Sequence, residues 1–304
     1  MNFTAKDVQA LRERTGCGMM DCKKALTEAD GDMEKAIEVL REKGLAKQAK
    51  KAGRIASEGV VYAIVDEAAK KSAMIEINAE TDFVAKNEKF VAFAANCAKV
   101  VLDEAPADVA ALLACKYPDT DRTVEEALRD LILVISENIK IRRFVRHEGV
   151  AVDYIHGGGR IGVLVFFDAD DATAAKPEFK VMAKDIAMQV AAALPQYLDH
   201  TSVPADVIAK EKEILMVQAM NEGKPANIAE KMVAGRIQKF YKEACLVEQP
   251  FIKDPDISVT KYVADTCKAM GADVKITGFV RYERGEGLEK REDDFADEVA
   301  KMVK

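Results

Sequence analysis

Side chains that commonly ligate metals or act as nucleophiles are few and scattered in this sequence. The 304-residue chain has six cysteines, none in a CxxC arrangement, and three histidines. Cys17 and Cys22 are close in sequence, but no second Cys or His pair follows nearby to complete a zinc site. We therefore expect reduced, buried thiols and no bound metal.

Phosphate-binding and hydrolytic motifs are also missing from the sequence. There is no GxxxxGK(S/T) phosphate loop. The glycine-rich segment HGGGRIG begins at His156 and lies between two predicted strands rather than between a strand and a helix, which favours a hairpin turn. No Ser–His–Asp or Cys–His order stands out. Nothing in the sequence points to an enzyme that transforms a substrate, and we expect no cofactor.

One aromatic side chain draws attention for a different reason. Phe83 lies in NAETDFVAKN, residues 78–87, a short polar connection between an alternating apolar run and a long helical pattern. A lone exposed aromatic residue is common, because folded surfaces retain much apolar area. A ring on a rigidly held corner can also anchor a partner protein. The segment alone leaves both interpretations open.

The composition limits the class of protein to which these residues can belong. Apolar residues make up 49% and charged residues 32%, which is typical of a soluble globular protein long enough for two or three domains. The net charge of −7 argues against a broad nucleic-acid-binding surface, which requires a basic face. No apolar run reaches the roughly 18–20 residues of a membrane span, and the first residues lack a signal-peptide pattern. We therefore expect a cytoplasmic protein without a membrane partner.

The first residues of the chain are predicted to form a small helical module. Three short helices are indicated within residues 1–43, with a capping box of Thr4 and Asp7 at the first and Asp32 as the cap of the third. About 40 residues of helix provide a marginal core.

Two features of this module leave alternatives open. Met19 and Met20 lie in the first connection, where they either fill the small core or form an exposed, adaptable contact with a partner. The segment KGLAKQAKKAGR, which ends at Arg54, is a basic helical linker in our interpretation. An RNA-binding patch is the alternative, although no aromatic residue is interleaved for stacking.

An internal repeat organises the middle of the chain. IKIRRFVRHE at 139–148 and VKITGFVRYE at 274–283 match without gaps at Lys, Ile, Phe, Val, Arg and Glu. SEGVVYAIVD at 57–66 and HEGVAVDYIH at 147–156 each open a pair of predicted strands that a helix follows. The pattern predicts an α+β fold with a duplicated core and small antiparallel sheets.

The second copy of the repeat is longer than the first, and the excess lies between Pro195 and Phe240. Two helical patterns flank the turn NEGKP there, so we expect an inserted antiparallel helical hairpin. Its predicted apolar seam consists of Ile208, Leu215, Ile228 and Met232.

The chain ends with a charged segment in which Phe295 and Val299 share one helical face, which predicts a C-terminal helix. The predicted divisions are a helical module with its basic linker at 1–54, core subdomain 1 at 55–146, core subdomain 2 at 147–198 and 241–283, the hairpin at 199–240, and a C-terminal helical module at 284–304.

Several long motifs occur in an order typical of one family. The chain resembles bacterial elongation factor Ts over nearly its whole length, in LRERTGCGMMDCKKAL at 11–26, ETDFVAKN at 80–87, ENIKIRR at 137–143, HGGGRIGVLV at 156–165, GKPANIAEKMVAGR at 223–236 and QPFIKDP at 249–255. The resemblance implies the fold predicted above, with a first module like a ubiquitin-associated domain. It also implies a guanine nucleotide exchange factor that binds the GDP-bound and nucleotide-free forms of elongation factor Tu.

The resemblance further implies which residues bind elongation factor Tu. Asp82 and Phe83, flanked by Thr81 and Val84, match the motif that meets the G domain, where the ring wedges between two helices beside the magnesium and phosphate site. The other implied contacts are Arg12, Met19, Met20, Lys23, Lys51, Ile135, Ser136, His156, Ile252 and Lys253.

Three positions depart from the family pattern. Ser136 stands where some relatives have Gly, which alters close backbone approach there. Lys253 replaces an apolar residue and changes the charge of that contact. The glycine turn at 157–159 is one residue longer than in some relatives. The resemblance is compatible with a one-to-one complex and with a dimer of such complexes.

Three other functions remain as alternatives at this point. An RNA-binding translation accessory protein would show a steep salt dependence of RNA binding. An adaptor for ubiquitin-like folds would bind such a partner through residues 1–43 alone. A hydrolase would lose its activity on substitution of His156. None of the three explains the duplicated core.

Overall fold

The N-terminal module is a bundle of three helices, and the computed structural model describes it together with the rest of residues 2–223 and 225–290. The helices are α1 (Ala5–Thr15), α2 (Met19–Glu28) and α3 (Met33–Lys51). Leu11, Leu26 and Leu40 are buried at its centre. The predicted capping box is confirmed, since Asp7 Oδ2 accepts a hydrogen bond from the Thr4 N–H at 2.7 Å and Thr4 Oγ1 accepts one from the Asp7 N–H.

The third helix is longer than predicted. It includes most of the segment predicted as a separate helical linker and continues to Lys51, and Gly44 lets it lie close to a later helix, Val124–Ile135. A Cβ at Gly44 would lie 3.7 Å from the Cβ of Leu133. Leu133 itself is buried and completes the core of the module. The basic segment is therefore largely part of a helix that is fixed on the core.

The core contains two three-stranded antiparallel sheets of the same construction. The first consists of β1 (Glu58–Asp66), β2 (Lys71–Ala79) and β3 (Lys140–Glu148), and the second of β4 (Val150–His156), β5 (Ile161–Asp168) and β8 (Lys275–Glu283). The register shifts at the same place in both, which leaves Arg142 of β3 and Thr277 of β8 as extra residues. The duplication predicted from the sequence is confirmed.

A glycine opens each sheet for a steric reason. Gly59 and Gly149 have φ values of 119° and 130° at the start of β1 and β4. A Cβ at Gly59 would lie 2.1 Å from the carbonyl oxygen of Ile77. The shared glycine therefore belongs to the architecture of the repeat.

Helices cover one face of each sheet. The first sheet carries α4 (Asp82–Ala85), α5 (Glu88–Glu104), α6 (Val109–Ala114) and α7 (Val124–Ile135), and the second carries α8 (Asp171–Ala174), α9 (Pro177–Ala193) and α12 (Val259–Met270). Phe90 of α5 and Phe179 of α9 are buried at equivalent places. The opposite faces of the two sheets meet in a smaller cluster around Val61, Met74 and Leu164.

The predicted insertion is a pair of helices, α10 (Ala205–Asn221) and α11 (Ala226–Ala244). Leu215, Val233 and Ile237 form its seam. Ile228 was predicted to lie in this seam, but it is 45% exposed, because it lies in the first turn of α11 beside the connection between the helices. A short hairpin, β6 (Pro250–Phe251) and β7 (Asp254–Ser258), follows.

The predicted C-terminal helix with Phe295 and Val299 lies outside the described residues. No helix within residues 2–223 and 225–290 has both the length and the apolar character of a membrane span.

A buried carboxylate joins the two core units. Glu76 of β2 is fully buried and accepts hydrogen bonds from Arg142 at 2.9 Å, Arg143 at 2.6 Å and the Gly285 N–H at 2.8 Å. Burial acts to raise the pKa of Glu76, but these donors and Asn78 outweigh it and hold the pKa below its usual value. Since Gly285 follows β8, Glu76 ties the first sheet to the end of the second unit.

Candidate functional site

Phe83 lies on a single helical turn that exposes its ring to solvent. The turn is α4, between β2 and α5, and the Phe83 side chain is 80% exposed. Val84 and Ala85, the next two residues, are each 7% exposed, and Val84 packs on the core of the first unit. The turn is therefore anchored from below while the ring points outward.

The burial of Val84 corrects one expectation. Val84 was grouped with Asp82 and Phe83 as a partner contact, but its side chain faces the core. Asp82 is exposed and its carboxylate lies 3.5 Å from Lys86 Nζ, one turn further along the chain. Thr81 is half-buried, and its hydroxyl donates to Glu137 Oε1 at 2.7 Å.

The duplicated core provides an internal comparison for Phe83. In the second unit, α8 occupies the place of α4, and Ala172 and Thr173 occupy the places of Phe83 and Val84. Thr173 is 3% exposed, like Val84, and Ala172 is exposed. The fold thus requires a buried residue at the second of these positions, but no aromatic ring at the first. The exposed Phe83 is not explained by packing.

Met19 and Met20 are exposed in the first turn of α2. Their side chains are 45% and 61% exposed, so the interpretation that both fill the core is wrong. Arg12 and Lys23 are also exposed in the same module. These four side chains, two apolar and two basic, are therefore open to solvent.

Ile135 and Ser136 end α7 beside the end of α3. Ile135 is half-buried against the first core, and Ser136 has a φ of 65°, in the left-handed region. That conformation gives a physical reason for the Gly that the resemblance implies in some relatives. Lys51 Nζ donates to the Ser136 carbonyl oxygen, so Lys51 connects α3 to this corner.

His156 lies at the start of a tight turn between β4 and β5. Gly157, Gly158 and Gly159 all have positive φ, and a Cβ at Gly159 would lie 2.2 Å from Val60 Cγ2. The predicted hairpin turn is confirmed. The His156 side chain is exposed, and its Nδ1 lies 3.0 Å from the Tyr154 hydroxyl.

Ile252 and Lys253 form the tip of the β6–β7 hairpin. The Ile252 side chain is 40% exposed, and its N–H donates to Gln189 Oε1 at 2.7 Å. Lys253 Nζ lies 2.6 Å from Asp185 Oδ1, and the Asp185 side chain is 9% exposed. The cationic departure at Lys253 therefore has a buried acidic partner within the chain.

Two buried thiols, those of Cys97 and Cys245, are not activated. Four of the six cysteines are buried, Cys97 and Cys245 among them. Burial raises the pKa of Cys97, and burial together with Glu248 and Asp199 raises that of Cys245 to about 11. These two thiols are therefore protonated at neutral pH. Among the described residues, no group of three or more His, Cys, Asp or Glu side chains is placed to hold a metal ion.

Burial also raises the pKa of Tyr262, whose hydroxyl lies beside Asp185, the partner of Lys253. Tyr262 donates to Asp185 Oδ2 at 2.9 Å, and burial and this hydrogen bond raise its pKa to about 12. Asp185 thus receives hydrogen bonds from Lys253 and Tyr262 and fixes the β6–β7 hairpin on α9.

Glu137, the residue that holds α4, was not among the predicted site residues. Its carboxylate accepts from Thr81, which is distant in sequence. Glu137 opens the motif ENIKIRR, as Glu80 opens ETDFVAKN, so an acidic residue at the edge of each motif was the available signal.

The fold defines the class of the protein first: a modular α+β protein with a three-helix module, a duplicated core and an inserted helical hairpin. Comparison with known proteins then gives the family. The model of the family described as "Elongation factor TS" matches residues 80–286. The chain is 54% identical to elongation factor Ts of Clostridium botulinum strain Eklund 17B and of Clostridium perfringens strain 13, and 52% identical to that of Clostridium kluyveri strain NBRC 12016, with 99% of each chain covered. The chain belongs to the elongation factor Ts family of translation elongation factors, as its motifs predicted.

Proposed function

We propose that the chain is the guanine nucleotide exchange factor for elongation factor Tu. It binds the GDP-bound form, promotes release of GDP and magnesium, and holds the nucleotide-free form until a new nucleotide enters. Family membership supports this role, and one structural observation carries it. Phe83 is 80% exposed on an anchored turn, where the equivalent residue of the second unit is Ala172.

The mechanism is negative coupling between two ligands of one GTPase. The Phe83 ring enters the G domain between two helices and favours a state in which the magnesium and phosphate ligands are misaligned. Because coupling is reciprocal, the exchange factor and the nucleotide weaken each other's binding equally. A coupling free energy of about 3 kcal/mol weakens nucleotide binding roughly a hundredfold. No bond is made or broken, so the factor needs no cofactor.

The surrounding residues extend the proposed contact surface. In this proposal Asp82 accompanies Phe83, while Val84 supports the turn from the core and Thr81 holds its start. Further contacts come from Arg12, Met19, Met20 and Lys23 of the module, from Ile135, Ser136 and Lys51 at the α7 corner, from His156, and from Ile252 and Lys253 at the hairpin tip. Because the ribosomal elongation cycle takes place in the cytoplasm, we place the protein there.

Contacts that the basic segment makes within the chain weaken the RNA-binding alternative. Lys43 Nζ pairs with Glu28 at 2.6 Å, and Arg54 pairs with Glu80 at 3.4 Å. Lys51 donates to the carbonyl of Ser136. Three of the cations that a phosphate backbone would need are therefore engaged within the chain.

Release of a fluorescent GDP analogue from elongation factor Tu of the same organism tests the proposal. We expect fast release with the wild-type chain and release slower by about 30-fold or more with Phe83→Ala, as for loss of an aromatic anchor. Because the ring is largely exposed, the variant should melt within a few degrees of the wild type. Val181→Ala is the matched control, since Val181 is an apolar residue of α9 that is 60% exposed.

Two results would contradict the proposal in different ways. No acceleration by the folded wild-type chain removes the exchange function. Equal acceleration by the wild type and Phe83→Ala keeps the function and removes Phe83 from its centre.

A further inference from the structure

Beside the Phe83 turn, two loops are joined by reciprocal hydrogen bonds: a glutamate of each loop accepts from the backbone of the other. Glu137, in the loop after α7, accepts through Oε2 from the backbone N–H groups of Glu80 at 3.1 Å and Thr81 at 3.0 Å. Its Oε1 accepts from the Thr81 hydroxyl at 2.7 Å. In return, Glu80 Oε1 accepts from the Asn138 N–H at 2.6 Å. We call this arrangement the Glu80–Glu137 bridge.

The end of α3 joins the same bridge. Arg54 Nη1 lies 3.4 Å from Glu80 Oε2, and Asn138 Nδ2 donates to the Arg54 carbonyl oxygen at 2.7 Å. Three segments that are far apart in sequence therefore meet at one point. They lead to Phe83, to the Ile135–Ser136 corner and to the helical module.

The second core unit lacks this arrangement at the equivalent turn. There α8 has a local cap, in which Asp170 accepts from the Thr173 N–H at 2.7 Å. In the first unit Thr81 is the N-cap of α4, but its side chain makes no capping hydrogen bond and binds Glu137 instead. The first unit has replaced a local cap by a bridge across more than 50 residues of sequence. The bridge ties the start of α4 to the loop after α7, which a local cap does not do.

We propose that Glu137 is a positioning residue for nucleotide exchange, which sets the place of Phe83 relative to the Ile135–Ser136 corner. The inference rests on the proposed function. Glu137 acts through α4, because its carboxylate is occupied by Glu80 and Thr81. Small displacements of a group that must fit a partner cost large factors in rate.

The first experiment compares two substitutions of Glu137 in the full chain. Glu137→Ala leaves the two N–H groups without their acceptor, and we expect the kcat/KM of GDP release to fall about tenfold or more. Glu137→Gln is nearly isosteric: its amide oxygen can accept from both N–H groups and its amide NH2 can donate to the Thr81 hydroxyl. We expect Gln to retain activity within about twofold, because neutral acceptors keep the geometry with weaker bonds.

Glu126→Ala is the matched control. Glu126 also accepts from a backbone N–H and the hydroxyl of one threonine, Thr123, at 2.9 and 3.4 Å, in the capping box of α7. It should lower the melting temperature about as much as Glu137→Ala and leave exchange unchanged. Equal losses of exchange in both variants would mean that Glu137 has a merely structural role.

A double-variant cycle tests whether Glu137 works through Phe83. If it does, Glu137→Ala slows exchange strongly in the wild type but by no more than about twofold in the Phe83→Ala background. If the losses of exchange rate from the two single variants multiply in the double variant, Glu137 makes an independent contact with the GTPase. That result would overturn the inference. A Glu137→Gln variant as inactive as Glu137→Ala would do the same, because it would show that the negative charge itself is required.

Hydrogen–deuterium exchange of the free protein provides a readout without the GTPase. Glu137→Ala should speed exchange in a peptide covering residues 80–86, while Glu137→Gln and Glu126→Ala leave it unchanged. Unchanged protection in Glu137→Ala overturns the inference. A wild-type chain that fails to accelerate GDP release is a separate result, since it removes the proposed function itself and the positioning role with it.

Discussion

At the scale of single residues, Ser136 has a backbone conformation that disfavours any side chain. Its φ of 65° places a Cβ-bearing residue in the left-handed region, where glycine is favoured. The same residue lies at the corner that receives Lys51 and precedes Glu137. The position combines local strain with a crowded junction, as functional corners often do.

The strain at Ser136 leads to a stability prediction. We expect Ser136→Gly to raise the free energy of unfolding by up to about 1 kcal/mol, because glycine adopts this φ without a steric penalty. Ser136→Ala is the control and should give no gain, since its φ requirement is unchanged. Urea denaturation of the three proteins measures the difference. A destabilised Gly variant would show that flexibility gained in the unfolded chain outweighs the strain.

At the scale of elements, the inserted hairpin differs from the rest of the molecule. Its seam is narrow, and Ile214, Val217, Met220 and Ile228 remain exposed on its surface. Gly235 lies within α11 and has no atom within 4 Å of a built Cβ. A glycine at an exposed position in the middle of a helix lowers the stability of that helix.

The hairpin glycine gives a second stability prediction. Gly235→Ala should stabilise the hairpin by about 0.5–1 kcal/mol, because alanine has the higher helix propensity and open space to occupy. Ala234→Gly, at the neighbouring exposed position, should cost a similar amount. Hydrogen exchange of peptides from α11 reports both effects. If Gly235→Ala increases exchange there, the glycine serves a close approach that the described residues do not show.

At the scale of the whole molecule, the two core units are joined through Glu76. Its carboxylate links β2 to Arg142 and Arg143 of β3 and to the backbone of Gly285 beyond β8. Arg143 also lies over the ring of Tyr282, 4.1 Å from its centroid. The junction therefore combines a buried charge, two guanidinium groups and an aromatic face.

The pH dependence of stability should report this junction. The pKa of Glu76 is lowered in the folded chain, so its contribution is present above the ordinary value of 4.5 and is lost as pH falls through the folded-state pKa. Glu76→Gln should cost about 2 kcal/mol at pH 7, and the difference from the wild type should shrink at acidic pH. Urea denaturation between pH 7 and acid measures this. Glu67→Gln removes an exposed pair with Lys180 and should change little at any pH.

Features that depend on neighbouring residues in the sequence, such as the duplicated core, were predicted correctly. The matched segments around Glu148 and Glu283 predicted the duplication, because strand and glycine signals repeat with the unit. The helical character of the basic linker was predicted, but its packing on α7 was missed, since that depends on contact between Gly44 and Leu133 of another helix. The Glu80–Glu137 bridge was missed for the same reason, since its partners are more than 50 residues apart. The exposure of Met19 and Met20 could not be decided from spacing alone.

The continuous helix α3 affects the entropy cost of orienting Phe83 in the proposed complex. It spans about 28 Å at 1.5 Å per residue, starts in the helical module and ends at the corner beside Phe83. Because α3 packs on α7 and Glu137 after α7 binds Thr81 at the start of α4, direct contacts connect the module with α4. Under the proposed function, Phe83 would already be oriented once the module had bound the GTPase, and its entry would cost little further rotational freedom. In the proposed complex this connection would give Phe83 a high effective concentration at the G domain.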